Sequence, residues 1–336
     1  MTSLLLADFD LTGRNTLAVP ARSRFGALIT DAGMLARVAA EATERGLPLR
    51  VLGGGSNVVL APQFDGVTAV MAITGKRLLD GTAEAALVEA GAGENWHDFV
   101  TWTVDEGLGG LENLAGIPGT VGAAPVQNIG AYGVELAERF ESLLAYDHQA
   151  RLWRTFTRAD CGFAYRNSVF KQQRGRFTVV SVRLRLPRPW APVLSYAGLA
   201  GLAAEGAVTP RQVLEKVVAV RAGKLPDWRQ LPNAGSFFHN PVVPEATAQA
   251  LLSSHPGAPL YPAGDGLAKL SAGWLIEQAG LKGFRLGKVG VSERHALVLV
   301  NPGGGTQADI AALAGHIKRE VAARFGVELT EEPIFL

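Results

Sequence analysis

The feature that most constrains this chain is a glycine-rich stretch without helical or strand periodicity at residues 107–133. It holds eight glycines, two prolines and a single charged residue, Glu112. Ordering a glycine costs roughly 0.5–1 kcal/mol more than ordering an alanine, so eight cost about 4–8 kcal/mol, comparable with the stability of a whole domain. Loops of this length are uncommon in compact domains unless they have a function. Because the stretch is apolar and nearly uncharged, we expect it to bind a large, flat, mostly apolar ligand rather than to be disordered.

The composition limits the classes of protein that this chain can belong to. Its 336 residues are 48% hydrophobic and 19% charged, which is enough for a large core in two or three domains. The net charge is +1 and the sequence has no basic stripe, so we expect no nucleic-acid partner. No apolar stretch approaches the ~20 residues that span a bilayer, and the N-terminus lacks the basic region of a signal peptide. The sequence therefore predicts a cytoplasmic protein without a membrane partner.

The pattern of apolar residues and capping residues predicts an α+β fold. One helix is expected to begin after Asp31 and end near Arg45, and others cover residues 95–106 and follow Ser271, Thr209 and Thr306. Strands are expected at residues 49–52, 58–60, 67–73, 179–186 and 296–300. Pro187 and Pro189 mark a possible boundary. The single cysteine, Cys161, excludes an intramolecular disulfide, and we expect it to be a small buried apolar residue.

A second glycine run, residues 53–57, follows the predicted strand 49–52 directly. Glycines after a strand allow the backbone N–H groups to approach an anion closely. The spacing matches neither the G-x-G-x-x-G dinucleotide fingerprint nor the phosphate loop G-x-x-x-x-G-K-[ST]. A phosphate-binding loop and a plain flexible turn therefore both remain open.

Two further segments place a reactive side chain among aromatic residues. Arg166 follows Tyr165 and could bind a carboxylate through a bidentate pair of hydrogen bonds, or it could be an exposed arginine in a salt bridge. Ser236 precedes Phe237 and Phe238, so it lies either in an apolar wall or in a tight turn. The six histidines show no metal-ligand spacing, and we expect no metal.

In combination these segments resemble the UDP-N-acetylenolpyruvoylglucosamine reductase (MurB) family. The resemblance extends from about Asn15 to the C-terminus. It rests on the runs G-A-G-E-N-W at 91–96, G-L-E-N-L-A-G-I-P-G at 110–119, Q-N-I-G-A-Y-G at 127–133, Y-R-N-S-V-F-K at 165–171 and N-A-G-S-F-F-H-N-P at 233–241. The triplets L-S-Y at 194–196 and K-L-P at 224–226 resemble the longer of the family's two subtypes.

The resemblance implies an FAD-binding fold of the PCMH type with two subdomains, followed by an α+β substrate-binding domain. The expected boundaries are 1–75 and 76–205 for the FAD-binding subdomains, 206–326 for the substrate-binding domain, and 327–336 for a C-terminal segment that returns to the active site. FAD is expected to be bound non-covalently. The residues expected to hold it are Gly53, Gly54, Gly55, Ser56, Asn57, Ile117, Pro118, Gly119, Gly122, Ala123 and Gly130.

The resemblance also implies the reaction, which is the NADPH-dependent reduction of UDP-N-acetylglucosamine enolpyruvate to UDP-N-acetylmuramate by a monomer. Arg166 and Glu332 match the family's residues that stabilise the developing enolate, and Ser236 matches its proton donor. Four further residues match positions that contact the substrate, namely Tyr132, Tyr196, Lys224 and Asn240, and Lys224 is expected to meet the diphosphate.

The chain departs from the family pattern at several positions. Ala123 and Ala124 replace a pair of small hydroxyl residues, Asn167 replaces an aspartate, and His295 stands where a glutamine is common. The C-terminal segment contains two adjacent glutamates, and its spacing to Phe335 favours Glu332 over Glu331 as the catalytic residue.

Two other functions stay open from the sequence. One is another FAD oxidoreductase, such as an oxidase of a small alcohol or sugar, although Ser56 and Asn57 follow the glycines where such enzymes often carry a flavin-linked histidine or cysteine. The other is a non-catalytic protein that binds nucleotide sugars.

Overall fold

A computed structural model describes residues 3–264 and 266–336 of the chain. The strands are β1 Leu6–Asp10, β2 Arg22–Ile29, β3 Leu49–Leu52, β4 Val58–Val59, β5 Gln63–Met71, β6 Lys76–Leu79, β7 Ala85–Gly91, β8 Gly130–Ala131, β9 Val134–Glu135, β10 Phe140–Asp147, β11 Leu152–Thr157, β12 Phe177–Pro187, β13 Asn233–Ser236, β14 Val242–Pro244, β15 Leu260–Pro262, β16 Leu267–Leu270, β17 Arg285–Leu286, β18 Val289–Val291, β19 Val298–Val300 and β20 Ile334–Phe335. The helices are α1 Ala32–Glu44, α2 Trp96–Asp105, α3 Arg158–Cys161, α4 Val169–Gln172, α5 Pro210–Lys224, α6 Glu245–Ser254, α7 Ala272–Gln278 and α8 Gln307–Phe325.

Contacts between residues divide the chain into two compact units. The first unit comprises the chain up to Phe9, Ser23–Gly55 and Phe64–Gly223. The second comprises Asp10–Arg22, Ser56–Gln63 and Lys224–Leu336. The chain thus continues in the first unit well past Pro187 and Pro189. The four domain ranges that the sequence suggests remain predictions.

The first unit contains two main sheets. A four-stranded sheet has the order β1-β2-β5-β3, with β3 and β5 parallel, and a five-stranded sheet has the order β11-β10-β12-β7-β6 with antiparallel pairs throughout. The central strand β12 covers the strand predicted at residues 179–186 and buries alternate residues, namely Val180, Val182, Leu184 and Leu186. Cys161 is fully buried, and this burial, with a smaller contribution from Asp160, raises the pKa of its thiol to about 12. The thiol is therefore a packing group.

Local capping fixes the helices of the first unit at their predicted positions. The Asp31 carboxylate accepts a hydrogen bond from the Met34 backbone N–H at 2.7 Å and begins α1. Gly46, with φ of +63°, follows the end of that helix. Asn95 caps α2 in the same way, and this helix lies within the predicted range 95–106.

The second unit is built on a four-stranded sheet with the order β13-β19-β18-β17 and a three-stranded sheet with the order β14-β16-β15. Helix α8 starts directly after Thr306, as the sequence predicts, with a reciprocal capping box between Thr306 and Asp309. It buries a stripe of apolar side chains, namely Ile310, Leu313, Ala314, Ile317 and Val321. Phe325, the last residue of the helix, is only half-buried and packs beside Trp274 and His255. None of the helices in the described part of the chain is long and apolar enough to cross a membrane.

The glycine-rich stretch 107–133 is more ordered than its sequence predicts. It forms two 3-10 helices, Glu112–Leu114 and Val121–Gln127, before strand β8. Leu111, Leu114 and Val121 are almost fully buried. Since burying a large apolar side chain contributes about 1.5–3 kcal/mol, these residues offset part of the entropy cost of the glycines. The stretch is therefore held in part by its own core and does not rely on a ligand alone.

Candidate active site

The two glycine loops expected to bind the cofactor lie against each other in the first unit. A Cβ atom added to Gly53 would lie 2.7 Å from the Thr120 hydroxyl, and one added to Gly54 would lie 3.0 Å from the Gly119 Cα. Gly55 adopts a left-handed φ of +61°. Close packing and a left-handed turn therefore explain why three glycines occur in a row here.

Thr120 supplies a polar group at this junction that the sequence analysis missed. Its Oγ1 atom is buried and has no hydrogen-bond partner among the residues that the structure describes. A buried polar group without a partner costs about 1–3 kcal/mol. A phosphate oxygen placed next to this hydroxyl would accept its hydrogen bond. The junction thus fits the diphosphate of a nucleotide cofactor. Its position directly after Gly119 in a glycine run was the sequence signal for this role.

The loop on the Thr120 side is fixed by backbone hydrogen bonds to the start of α2. The Trp96 N–H donates to the Gly119 carbonyl at 3.1 Å, and the Val121 N–H donates to the Glu94 carbonyl at 2.9 Å. Gly122 packs directly on Ala92, where a side chain at Gly122 would collide with it. This packing is sufficient to require glycine at position 122. The expected flavin contacts of Gly122 and Ala123 remain predictions.

Arg166 lies at the corner of a two-residue turn. Ala164 and Asn167 exchange both of their backbone hydrogen bonds at 3.1 Å, and Arg166 between them has φ of +51°. Its guanidinium donates to the Gly130 carbonyl at 3.1 Å. A left-handed backbone at a non-glycine residue costs on the order of 1–3 kcal/mol and is common at functional sites. Position 130 also requires a small residue, because a Cβ there would lie 3.0 Å from the Glu135 Cγ.

Tyr132 and Tyr196 form an aromatic pair in the first unit. Their ring centroids are 4.8 Å apart in an edge-to-face arrangement, and Tyr196 is 39% exposed. The Tyr132 hydroxyl is hydrogen-bonded to Arg221. Burial lowers the pKa of the Arg221 guanidinium, and the interaction with Tyr132 opposes that shift. The Arg221 Nε also donates to the Gly116 carbonyl at 3.1 Å, so this arginine links Tyr132 to Gly116 within the glycine-rich stretch.

In the second unit Ser236 ends strand β13 at a β-bulge. Between Asn233 and Ser236 the strand has one residue more than its partner β19, and Gly235 adopts φ of +70° within that irregularity. The Asn233 side chain accepts the Gly235 N–H at 2.9 Å and so stabilises the bulge. Phe237 and Phe238, which follow the serine, are both buried, and the apolar wall next to Ser236 remains a prediction. A bulged strand replaces the tight turn that the sequence left open.

The C-terminal segment packs beside this strand within the second unit. The Glu332 N–H donates to the Phe237 carbonyl at 2.9 Å, and the Asn57 side-chain amide donates to the Glu332 carbonyl at 3.3 Å. The Ile334 N–H donates to the Asn57 carbonyl at 3.0 Å. Glu332 is thereby fixed next to the residue that follows Ser236.

The remaining candidates of the second unit surround helix α7. The Asn240 side-chain oxygen accepts the Ala272 N–H at 3.0 Å, which leaves the amide nitrogen able to donate to a ligand. Burial lowers the pKa of His295, Lys224 and Lys282 lower it further, and Glu277 opposes them. The His295 Nδ1 accepts the Leu297 N–H at 3.2 Å, so the neutral ring carries its proton on Nε2.

Both parts of the chain are similar to known proteins. A model of an FAD-binding domain matches residues 27–155, and a model of the UDP-N-acetylenolpyruvoylglucosamine reductase C-terminal domain matches residues 227–336. The UDP-N-acetylenolpyruvoylglucosamine reductase of Azoarcus sp. (strain BH72) is 51% identical over 99% of this chain and 98% of its own length. The chain belongs to the UDP-N-acetylenolpyruvoylglucosamine reductase family. The corresponding reductase of Burkholderia multivorans is 50% identical over 99% of this chain and 97% of its own length.

The comparison with solved structures agrees with the fold of this reductase family. The crystal structure of UDP-N-acetylenolpyruvylglucosamine reductase from Thermus caldophilus has a TM-score of 0.68 and covers 99% of both chains at 24% identity. The predicted fold class, an α+β FAD-binding fold followed by a C-terminal reductase domain, is confirmed. The prediction of a flavin-dependent oxidoreductase is confirmed as well.

Proposed function

We propose that this protein reduces UDP-N-acetylglucosamine enolpyruvate to UDP-N-acetylmuramate with NADPH as the reductant and non-covalently bound FAD. The main support is the 51% identity to a UDP-N-acetylenolpyruvoylglucosamine reductase across 99% of the chain. The product is a precursor of peptidoglycan, so the protein acts in cell-wall synthesis. We further propose that it does so in the cytoplasm and as a monomer.

FAD is held by the two glycine loops and by the residues that follow them. When bound, it supplies the hydride that reduces the β-carbon of the enol ether. The contact between Gly53, Gly54 and the Gly119–Thr120 segment supports this assignment, because it leaves backbone and one buried hydroxyl, but no bulky side chain, at the junction. The full set of cofactor contacts comprises Gly53, Gly54, Gly55, Ser56, Asn57, Ile117, Pro118, Gly119, Gly122, Ala123 and Gly130.

Arg166 is the cationic group of the proposed reaction. Reduction at the β-carbon builds negative charge on the α-carbon and the carboxylate, and a fixed guanidinium lowers the energy of that charge. The hydrogen bond from Arg166 to the Gly130 carbonyl and its position at a turn corner restrict the side chain before substrate binds. A cation that is already oriented needs little reorganisation during the reaction.

Glu332 assists the enolate only in a protonated or hydrogen-bonded state, because a bare carboxylate would repel the developing charge. Its backbone is held through Phe237 and Asn57. The His239 Nδ1 lies 3.6 Å from a Glu332 carboxylate oxygen, so a protonated His239 would interact with this carboxylate.

Ser236 completes the reaction by donating a proton to the α-carbon. The β-bulge at Gly235 directly precedes the serine, and the two residues that follow it, Phe237 and Phe238, are buried. These neighbours fix the backbone on both sides of Ser236 and so hold the proposed proton donor in place.

Four residues bind the substrate in this proposal. Tyr132 and Tyr196 offer an aromatic surface, and Asn240, whose side-chain oxygen is held by the Ala272 N–H, offers its amide nitrogen as a donor. The Lys224 side chain is exposed at the end of α5, where an ammonium group can meet the diphosphate of the nucleotide sugar.

Steady-state turnover tests the proposed function. Purified holoenzyme should oxidise NADPH only when the enolpyruvyl sugar is present, and mass spectrometry should identify UDP-N-acetylmuramate. Flavin that stays in the acid-precipitated pellet, with oxidation of a simple alcohol or sugar, would instead favour an oxidase. A purified protein without flavin that binds nucleotide sugars would favour a binding protein.

A further inference from the structure

Two buried polar residues of the first unit have no role in the proposed chemistry. Glu112 and Asn113 form the start of the 3-10 helix Glu112–Leu114 and are 1% and 0% exposed. Burying a carboxylate or an amide is costly unless its hydrogen bonds are made inside the protein. Glu112 is also the only charged residue of the stretch 107–133. The hydrogen-bond partners of these two side chains therefore indicate the role of the pair.

Two of their four hydrogen-bond partners lie in one distant segment, residues 188–199, which we name the strap, and the other two, the Gly110 N–H and the Tyr132 carbonyl, lie in the stretch 107–133 itself. A Glu112 carboxylate oxygen accepts the Trp190 indole N–H at 2.8 Å. The Asn113 amide nitrogen donates to the Val193 carbonyl at 2.8 Å and also to the Tyr132 carbonyl at 2.8 Å. Asn113 thus joins the strap to the end of the glycine-rich stretch with a single side chain.

Glycines shape the surface on which the strap rests. A side chain at Gly109 would collide with the Trp190 indole. A Cβ at Gly133 would lie 2.9 Å from the Ser195 hydroxyl. The strap therefore packs closely on the stretch 107–133 at both of these positions, in addition to the polar contacts.

The two tyrosines expected to contact substrate depend on this contact. Tyr196 belongs to the strap, Tyr132 lies at the end of the glycine-rich stretch, and their ring centroids are 4.8 Å apart. Tyr132 has φ of +51°, a backbone conformation that needs support from its surroundings. The hydrogen bond from Asn113 to the Tyr132 carbonyl provides part of that support.

We propose that Glu112 and Asn113 are positioning residues that hold the strap so that Tyr196 packs against Tyr132, and that they thereby set the affinity for the nucleotide-sugar substrate. This inference rests on the proposed function, since it takes Tyr132 and Tyr196 as substrate contacts. Neither Glu112 nor Asn113 takes part in the chemical steps.

The chemistry of the pair suggests informative substitutions. Asn113→Asp removes both N–H donors and turns a carboxylate towards two carbonyl oxygens, while Asn113→Ala only removes the donors. Trp190→Phe keeps an aromatic ring on Gly109 but deletes the N–H that Glu112 accepts. Trp153→Phe is the matched control, because Trp153 is an exposed residue of strand β11.

The experiment combines hydrogen exchange of the strap with kinetics of the holoenzyme. In Asn113→Ala and Trp190→Phe, amides of residues 190–199 should exchange faster than in the wild type. The KM for UDP-N-acetylglucosamine enolpyruvate should rise about tenfold in Asn113→Ala and about threefold in Trp190→Phe. The turnover number and the limiting rate of flavin reduction at saturating NADPH should stay within about twofold, and Trp153→Phe should match the wild type.

Three results would overturn the proposal. The first is an unchanged rate of amide exchange in the strap, and the second is faster exchange with an unchanged KM. The third is an equal fall of the flavin content and of the rates of both half-reactions, which would mean that the pair only supports the structure. If Asn113→Ala does not fold, the same measurements on Trp190→Phe test the proposal. A wild-type enzyme that takes electrons from NADPH but never reduces the enolpyruvyl sugar would refute the proposed function, and the exchange data would still test the contact between pair and strap.

Discussion

The ammonium nitrogen of Lys318 lies 3.0 and 3.1 Å from the two carboxylate oxygens of Glu331. Glu331 also forms an antiparallel bridge with Phe238. The carboxylate of the next residue, Glu332, has a different neighbour and lies 3.6 Å from the His239 Nδ1. This geometry supports Glu332, rather than its neighbour, as the glutamate of the proposed reaction.

The two adjacent glutamates provide a matched pair of variants. Glu332→Gln should slow reduction of the enolpyruvyl substrate by about 10²-fold, because it alters the group proposed to stabilise the enolate. Glu331→Gln should change turnover by less than about threefold, since it removes a partly exposed ion pair that contributes about 1 kcal/mol or less. The rate at which the enolpyruvyl substrate reoxidises reduced flavin in a single turnover measures the effect of each variant. Similar losses in the two variants would contradict the assignment.

Ser236→Ala tests the proton donor. Flavin reduction by NADPH should remain nearly intact, whereas turnover of the enolpyruvyl sugar should fall by about 10²-fold or more. Ser253→Ala, at an exposed position of helix α6, is the control. An equal loss in both half-reactions would mean that Ser236 supports the structure of the site instead.

Thr120→Val tests the buried hydroxyl at the junction of the glycine loops. Valine has nearly the same shape but cannot donate to a phosphate, so the dissociation constant for FAD should rise about tenfold. Thr120→Ser should restore most of the affinity. Thr101→Val is a suitable control, because its hydroxyl is bonded within its own helix to the His97 carbonyl. Unchanged FAD affinity in Thr120→Val, measured by titration of the apoprotein, would exclude the hydroxyl from the cofactor site.

His295 should make stability depend on pH. Its native pKa lies below the usual 6.5, mainly because of burial and then because of Lys224 and Lys282. As the pH falls through about 6.5 the unfolded chain takes up a proton that the native state does not, so the free energy of unfolding decreases. At higher pH His295 is neutral in both states, so its contribution to the free energy of unfolding is fully present. His295→Gln should flatten the dependence between about pH 7.5 and 5.5, measured by urea unfolding. An unchanged slope would show that another group causes it.

Local signals in the sequence predict much of the fold. Asp31, Asn95, Ser271 and Thr306 begin their helices where capping rules place them, because a cap depends only on residues three or four positions away. The alternation in β12 likewise reflects burial on one face of a strand. The two glycine runs also predict both loops of the candidate cofactor site, because two backbones can approach closely only where residues carry no side chain.

Features that depend on distant partners are not visible in the sequence. In the sequence Glu112 is an isolated charge, whereas in the structure it accepts the indole N–H of Trp190, which lies 78 residues later. The bulge that directs Ser236 depends on pairing with β19, and the short helices within residues 107–133 depend on the burial of Leu111, Leu114 and Val121. The hydrogen-bonding need of Thr120 appears only when the second loop covers it.

In the proposed reaction this flavoenzyme passes electrons from NADPH to an enolpyruvyl nucleotide sugar. An anaerobic experiment separates the two transfers: the bound flavin is reduced with one equivalent of NADPH, and UDP-N-acetylglucosamine enolpyruvate is then added while the flavin spectrum is followed. We expect the oxidised spectrum to return and UDP-N-acetylmuramate to form in equal amount. A flavin that stays reduced until oxygen is admitted would contradict it.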